Sequence, residues 1–129
     1  MSASERVVLL VEDQEDNRVL ARKLLTRGGF RVVEATDGHQ ALEQAAAVQP
    51  DIILLDISLP GALDGLAVAR TLRASAELKH LLVVALTANA MDGDREKALE
   101  AGCDDFMTKP IDVPQFVPTI RRILERLGT

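Results

Sequence analysis

The chain is poor in cysteine and histidine: among its 129 residues it has one cysteine, Cys103, and two histidines, His39 and His80. A single cysteine excludes an internal disulfide and a zinc site built from cysteines. Its side chain fits a small buried hydrophobic position better than a redox role. The two histidines lie outside the segments that carry the acidic motifs described below. Zinc and thiol chemistry are therefore disfavoured.

Long apolar runs are also missing. The longest, residues 81–86 (LLVVAL), is far shorter than the ~20 residues needed to cross a bilayer. The N-terminal segment MSASERVVLLVED has too short an apolar stretch for a signal peptide and lacks a small-residue cleavage site. We therefore expect a cytoplasmic protein with no membrane partner.

Clusters of positive charge are scarce, and the formal net charge is −5. The one basic grouping, Arg121, Arg122 and Arg126, fits the solvated face and last turn of a C-terminal helix. DNA binding requires clustered Lys and Arg side chains that displace counterions. We therefore expect no nucleic-acid partner.

The hydrophobic content of 47% is typical of a folded protein, and the length fits a single domain over residues 1–129. Three apolar runs without alternation, at 6–11, 52–55 and 81–86, are typical of strands that are covered on both faces. Two more polar segments, 30–35 and 105–108, fit strands near the edges of a sheet. Stretches with helical spacing follow each strand, including 64–74 and 91–101.

Alternating strands and helices predict an α/β fold with a parallel sheet between two layers of helices. For five strands, the flavodoxin-like order 2-1-3-4-5 is common, and it places the three most apolar strands in the centre. The residues that follow the strands then share one edge of the sheet. They are Glu12 and Asp13 after strand 1, Asp56 after strand 3, Thr87 after strand 4 and Lys109 after strand 5.

These side chains indicate phosphoryl chemistry at a metal. Three carboxylates raise one another's pKa in a small site unless a cation joins them. Oxygen ligands favour Mg²⁺, with Mn²⁺ also possible. A lysine and a hydroxyl beside a metal-bound carboxylate suit the oxygens of a phosphoryl group. With Asp56 as the nucleophile, the product would be an acyl phosphate.

Four segments carry a family resemblance: LLVEDQEDN, DIILLDISLP followed by Asp64-Gly65, ALTANAM, and AGCDDFMTKPID. In this order and spacing they resemble the receiver domain of bacterial two-component response regulators, which has the fold of the chemotaxis regulators. The resemblance covers essentially the whole chain. The run from Ala85 into the final helix most resembles stand-alone regulators of the DivK type and receivers attached to hybrid kinases.

The resemblance implies a signalling switch rather than an enzyme. Asp56 would accept a phosphoryl group from a histidine kinase or a histidine phosphotransfer protein, and Thr87 and Lys109 would bind the phosphoryl oxygens. Thr87 and Phe106 would form the switch that passes the signal to a downstream protein by contact. The implied Mg²⁺ ligands are the side chains of Glu12, Asp13 and Asp56 and the backbone carbonyl of Ser58.

We also expect separate input and output surfaces. The kinase side should lie at the first helix, around Asn17 and Arg18, so that charge reversal at Arg18 slows transfer from a kinase but not from a small phosphodonor. The output side should include Ala90 and Met91, before the fourth helix. Ser58 and Asn89 occupy positions that vary in the family and tune the lifetime of the phosphate.

Three alternatives stay open. A haloacid-dehalogenase-like phosphatase needs a second Asp two positions after its nucleophile, where this chain has Ser58. An FMN-binding flavodoxin needs a Ser/Thr/Gly-rich loop after strand 1, where this chain is acidic. A pseudo-receiver used as a scaffold would have the same fold without phosphorylation.

Two local features depart from the family pattern. The segment PGALDG has one residue more than the commonest form, which should alter that loop but not the site. In the last helix, Pro118 removes a hydrogen bond to the carbonyl of Pro114, so we expect a bend or a widened turn near 114–118. Asp112 can cap that helix, with Pro114 in its first turn.

Overall fold

The structure is a computed structural model that describes residues 5–88 and 93–128. Within these ranges five strands alternate with five helices. The elements are β1 (Val7–Val11), α1 (Glu15–Arg27), β2 (Arg31–Ala35), α2 (Gly38–Val48), β3 (Ile52–Asp56), α3 (Gly65–Ala74), β4 (Val83–Thr87), α4 (Asp94–Ala101), β5 (Asp105–Thr108) and α5 (Val113–Leu127).

All neighbouring strands pair in parallel, in the order β2-β1-β3-β4-β5. The predicted α/β class, parallel sheet and strand order are therefore confirmed. In the ranges that the structure describes, no helix has the length and hydrophobicity that a membrane span requires.

The core has two layers, one on each face of the sheet. Alternate strand residues point to opposite faces, so Leu9 and Leu55 pack in one cluster while Leu10 and Leu54 pack in the other. Helices α2, α3 and α4 cover the first face, and α1 and α5 cover the second. All residues of β3 and β4 are buried, which explains why their sequences show no alternation.

The starts of two elements, β4 and α4, differ from the predicted ones. Strand β4 begins at Val83, two residues later than predicted, because its pairing with β3 starts at Ile53 and Val83. Leu81 belongs to the preceding turn, where its N–H donates to the Leu78 carbonyl. Both Leu81 and Leu82 are nevertheless buried, so their hydrophobicity reflects the core rather than the strand. Helix α4 begins at Asp94, and its predicted start at Met91 lies outside the described residues.

Helix α5 corrects one expectation and leaves another open. Asp112 occupies the position before the first turn, but its side chain makes no capping hydrogen bond. Its backbone carbonyl instead accepts from the N–H groups of Gln115 and Phe116, so the expected side-chain cap is wrong. Pro114 lies in the first turn, and Pro118 lies inside a helix that continues to Leu127. The bend expected near 114–118 stays a prediction.

The loop after β3 folds back closely on the sheet. A Cβ atom added at Gly65 would overlap the backbone of Asp56 and Ile57, so this position needs a residue without a side chain. The carboxylate of Asp64 accepts from the N–H of Ala67 at 2.9 Å and caps α3. The end of β3 and the start of α3 are thereby held together.

At the opposite edge of the sheet, Arg73 joins the ends of α3 and α4. Its Nε donates to the Gly102 carbonyl at 2.6 Å, and its Nη1 donates to the carbonyls of Lys79 and Leu81 at 2.7 Å each. Its Nη2 pairs with Asp104 Oδ2 at 2.5 Å. Arg73 therefore provides hydrogen-bond donors for the carbonyl that follows α4 and for two carbonyls of the loop before β4.

Replacing Arg73 by Ala should lower the free energy of unfolding by about 2–3 kcal/mol, because several partly buried acceptors lose their donor. Urea denaturation measures this loss. Arg70→Ala is the matched control, since Arg70 lies on the same helix and is exposed. Equal stability of the two variants would show that the Arg73 contacts do not stabilise the fold.

Candidate functional site

The site is a cluster of three carboxylates at the carboxyl edge of the sheet. Strands β1 and β3 are neighbours, with Val11 opposite Leu55. The residues that come next, Glu12 and Asp56, therefore lie side by side. Carboxylate oxygens of Glu12, Asp13 and Asp56 all lie within 4.8 Å of one another. Glu12 and Asp56 are 1% and 2% exposed, while Asp13 is half-buried. The structure thus brings together the three acidic residues that the sequence placed at this edge.

Lys109 bridges two of these carboxylates. Its Nζ lies 2.8 Å from Glu12 Oε1 and 3.1 Å from Asp56 Oδ2. The residue follows β5, and its backbone N–H donates to the Thr87 carbonyl at 2.8 Å. This bond ties the loop after β5 to the end of β4, so the side chain can extend across β4 to β3. The Lys109–Pro110 peptide is cis.

The second oxygen of each buried carboxylate is bound by a backbone N–H. Ser58 N–H donates to Asp56 Oδ1 at 2.9 Å, and Gln14 N–H donates to Glu12 Oε2 at 3.1 Å. Ser58 itself is exposed, and its backbone lies directly beside Asp56. Asp56 is therefore held from two sides, by a loop amide and by an ammonium group.

Burial and charge pairing compete in this site. Burial raises the pKa of Glu12 above its ordinary value, and the hydrogen bond from Lys109 opposes this shift without cancelling it. For Lys109, burial by itself would lower the pKa. The hydrogen bond to Glu12 and the charge of Asp56 outweigh burial, so the pKa of Lys109 is raised. The ammonium form is thus strongly favoured between these two carboxylates.

The donor set fits a hard divalent cation. The cluster offers carboxylate oxygens from three residues, and Lys109 supplies one positive charge against their three negative charges. The Asp13 carboxylate makes no hydrogen bond or ion pair with any described residue, so it is available as a ligand. Oxygen ligands of this kind suit Mg²⁺ or Mn²⁺.

Thr87 ends β4, the strand beside β3, and Phe106 lies on the neighbouring β5, opposite Ala85. Thr87 is fully buried at the end of β4, and its Oγ1 donates to Asp94 Oδ2 at 3.0 Å. The guanidinium carbon of Arg95 lies over the Phe106 ring, 5.1 Å from its centroid. Both residues therefore contact the first turn of α4. Asp94 and Arg95 are not among the site residues that the sequence predicted. Their position at the start of the helix that follows Thr87 could have indicated them.

The structure describes the residues expected at the input surface but not those expected at the output surface. Asn17 is exposed on α1, while the Arg18 side chain is 18% exposed and pairs with Glu34. Ala90 and Met91, as well as Asn89, lie outside the described residues. The assignment of these residues to input and output surfaces stays a prediction.

Comparisons with known proteins agree on one family. The model of the response regulator receiver domain matches residues 8–121. The polar-differentiation response regulator DivK of Brucella anthropi is 42% identical over 117 residues, which cover 91% of this chain and 94% of the relative. DivK of Brucella ovis is equally similar.

Solved structures show the same relationship. The receiver domain of a sensor histidine kinase from Pseudomonas aeruginosa, solved with a magnesium ion in its active-site cleft, is 38% identical. It has a TM-score of 0.83, with 96% of this chain and 98% of that chain covered. A putative response regulator from Chloroflexus aurantiacus has a TM-score of 0.88 at 28% identity, covering 95% of this chain and all of that one. The chain described here therefore belongs to the response regulator receiver domain family of two-component signalling.

Proposed function

We propose that this domain is a phosphoacceptor switch that is phosphorylated on Asp56. The observation that carries the proposal is the carboxylate cluster bridged by Lys109, at the point where β1 and β3 lie side by side. Ligands of parallel α/β sheets bind at such a switch point. The phosphodonor is a phosphohistidine on a kinase or a phosphotransfer protein, and the output is contact with a downstream protein.

The metal in this proposal is Mg²⁺, with Mn²⁺ as a possible substitute. Its ligands are the side chains of Glu12, Asp13 and Asp56 and the backbone carbonyl of Ser58. When bound, it supplies positive charge that neutralises the oxygens of the transferring phosphoryl group. The magnesium ion in the Pseudomonas aeruginosa receiver domain supports this assignment by similarity.

The side chains of the site have separate tasks. An oxygen of Asp56 attacks phosphorus while the bond from phosphorus to the donor's histidine nitrogen breaks, which leaves an acyl phosphate on Asp56. Ser58 N–H orients the carboxylate from the other side. Lys109 already contacts both Asp56 and Glu12, so it can bind a phosphoryl oxygen while Glu12 still holds it. The Thr87 hydroxyl is the proposed second donor to the phosphoryl group.

The proposed output route starts at Thr87. Because the Thr87 hydroxyl donates to Asp94, turning it toward a phosphoryl oxygen removes a bond from the first turn of α4. Arg95 of the same turn lies over Phe106, so movement there also changes the environment of the Phe106 ring. Such coupling requires two conformations of the domain, and phosphorylation of Asp56 must stabilise one of them more than the other.

The remaining expectations complete the proposal. Residues 1–129 form one receiver domain, which acts in the cytoplasm without nucleic-acid or membrane partners. It is not an enzyme, although it supports its own phosphorylation and slow dephosphorylation. No observation in the described residues favours the phosphatase or FMN-binding alternatives.

Phosphorylation at Asp56 is tested directly with a small phosphodonor. In Mg²⁺ and acetyl phosphate, the intact mass should increase by one phosphoryl group, and Asp56→Asn should abolish the increase because an amide is a poor nucleophile. Labelling that persists in the Asn variant would refute the assignment. An unlabelled wild type would favour the pseudo-receiver alternative.

Repulsion within the cluster predicts a metal-dependent stability change. Without divalent cations, Asp13→Asn should raise the free energy of unfolding by roughly 1 kcal/mol, because it removes one of three neighbouring like charges. In excess Mg²⁺ this advantage should disappear, since the wild type gains the binding energy of the metal. Urea unfolding with and without Mg²⁺ measures both values. Asp16→Asn, on an exposed residue of α1, should show neither effect.

The switch is tested without a known target. Phosphorylation of the wild type should change hydrogen exchange in α4, and Thr87→Ala should be phosphorylated but show a much smaller change there. Thr108→Ala is the matched control, because Thr108 lies opposite Thr87 on β5 and is exposed. An unaltered response of α4 in Thr87→Ala would contradict the coupling.

A further inference from the structure

Arg18 contacts the loop that carries two of the three carboxylates. Its Nη1 donates to the backbone carbonyl of Glu12 at 3.1 Å and lies 3.4 Å from the carbonyl of Asp13. Its Nε pairs with Glu34 Oε1 at 3.0 Å. One guanidinium therefore joins α1, strand β2 and the loop between β1 and α1.

Among the described residues, the other hydrogen bonds of this loop are made at Glu12 and Gln14, whose carbonyl accepts from the Arg18 N–H. The N–H of Glu12 is bound by the Ala35 carbonyl, and the Glu12 carboxylate holds the N–H of Gln14. Gln14 precedes α1, but its side chain makes no capping bond. The Asp13 carboxylate has no polar partner among the described residues, so its direction depends on the backbone that carries it. In the described part of the chain, the side chain that contacts the Asp13 carbonyl is that of Arg18, at 3.4 Å.

Glu34 anchors the guanidinium of Arg18. Glu34 lies opposite Leu10 in the pairing of β2 with β1, so its position is fixed by the sheet. It also accepts from Arg22 at 2.9 Å. Because Glu34 is shared with Arg22, it compensates only one of the two positive charges, and any remaining charge on Arg18 would oppose Mg²⁺ binding rather than favour it. The planar fork of Arg18 bonds a carboxylate and backbone carbonyls at the same time, which a lysine ammonium cannot reproduce.

We infer that Arg18 is a positioning residue for the proposed magnesium site. Anchored on Glu34, it holds the backbone of Glu12 and Asp13 so that the Asp13 carboxylate faces the metal position. The inference rests on the proposed function and extends it to a residue that does not itself contact the metal. It also gives Arg18 a role different from the kinase contact that its position on α1 suggests.

The two roles predict different defects. A residue that contacts the kinase affects transfer from that protein and leaves Mg²⁺ binding unchanged. A residue that positions the loop affects Mg²⁺ affinity and therefore also slows labelling by a small phosphodonor, but only while Mg²⁺ is limiting. Arg22 provides the comparison, since it shares Glu34 as a partner and forms no polar contact with the loop in the described chain.

The experiment measures Mg²⁺ binding by calorimetry, because the chain has no Trp or Tyr to report binding by fluorescence. Arg18→Ala should weaken Mg²⁺ binding about tenfold, the lower end of what loss of a supporting contact costs a metal site. Arg22→Ala should bind as the wild type does. Labelling by acetyl phosphate should show the same difference between the two variants. Arg18→Ala should need a higher Mg²⁺ concentration for half-maximal labelling, but its rate at saturating Mg²⁺ should equal that of the wild type.

A second readout avoids the metal altogether. In metal-free protein, hydrogen exchange at residues 13 and 14 should be faster in Arg18→Ala than in Arg22→Ala. Arg18→Lys keeps the positive charge opposite Glu34 and replaces Arg18→Ala in these measurements if the Ala variant does not fold. It should also weaken Mg²⁺ binding, because the ammonium group cannot span both partners.

The outcomes separate this inference from the proposed function. If the wild type neither binds Mg²⁺ nor is labelled, the proposed function itself fails. If the wild type does both but Arg18→Ala and Arg22→Ala bind Mg²⁺ equally, Arg18 does not position the site. Normal Mg²⁺ binding in Arg18→Ala combined with slow transfer from a phosphohistidine protein overturns the inference in favour of a kinase contact.

Discussion

The structure depends on burying two carboxylates, Glu12 and Asp56, beside one ammonium group. Buried charges are costly unless they are paired and hydrogen-bonded. Here each carboxylate receives Lys109 on one oxygen and a loop N–H on the other. The pairing compensates only part of the negative charge, because Asp13 adds a third carboxylate. A site with surplus negative charge and ordered hydrogen-bond donors suits a cation, as the proposed function requires.

The residues of the carboxylate cluster are held in different ways. Asp56 ends a strand whose residues are all buried, and the backbone beside it leaves no room for a side chain at Gly65. The Asp13 loop is held less directly, through its carbonyls and a guanidinium that is fixed on a neighbouring strand. The proposed nucleophile therefore lies at the end of a fully buried strand, whereas a proposed metal ligand, Asp13, lies on a loop that a side chain from α1 contacts.

The sheet and the membership of the cluster could be predicted from the sequence because both follow from local patterns. Apolar runs ending at Glu12, Asp56 and Thr87 define central strands, and parallel topology then brings their ends together. Contacts between distant side chains leave no such pattern. The pairing of Arg18 with Glu34 and the hydrogen bond from Thr87 to Asp94 depend on how helices pack against strands.

Helix α4 is attached very differently at its two ends. Near Gly102, the carbonyl at its C-terminus is bound by Arg73, which is itself fixed to Asp104 and to the loop before β4. Among the described residues, its first turn is linked to Thr87 by the hydrogen bond to Asp94 and to Phe106 by the contact of Arg95 with the ring. A helix secured at one end behaves as a lever with its fulcrum at that end. If phosphorylation of Asp56 released the Thr87 bond, α4 would therefore tilt about Gly102 rather than slide along the sheet, with the largest displacement at its first turn.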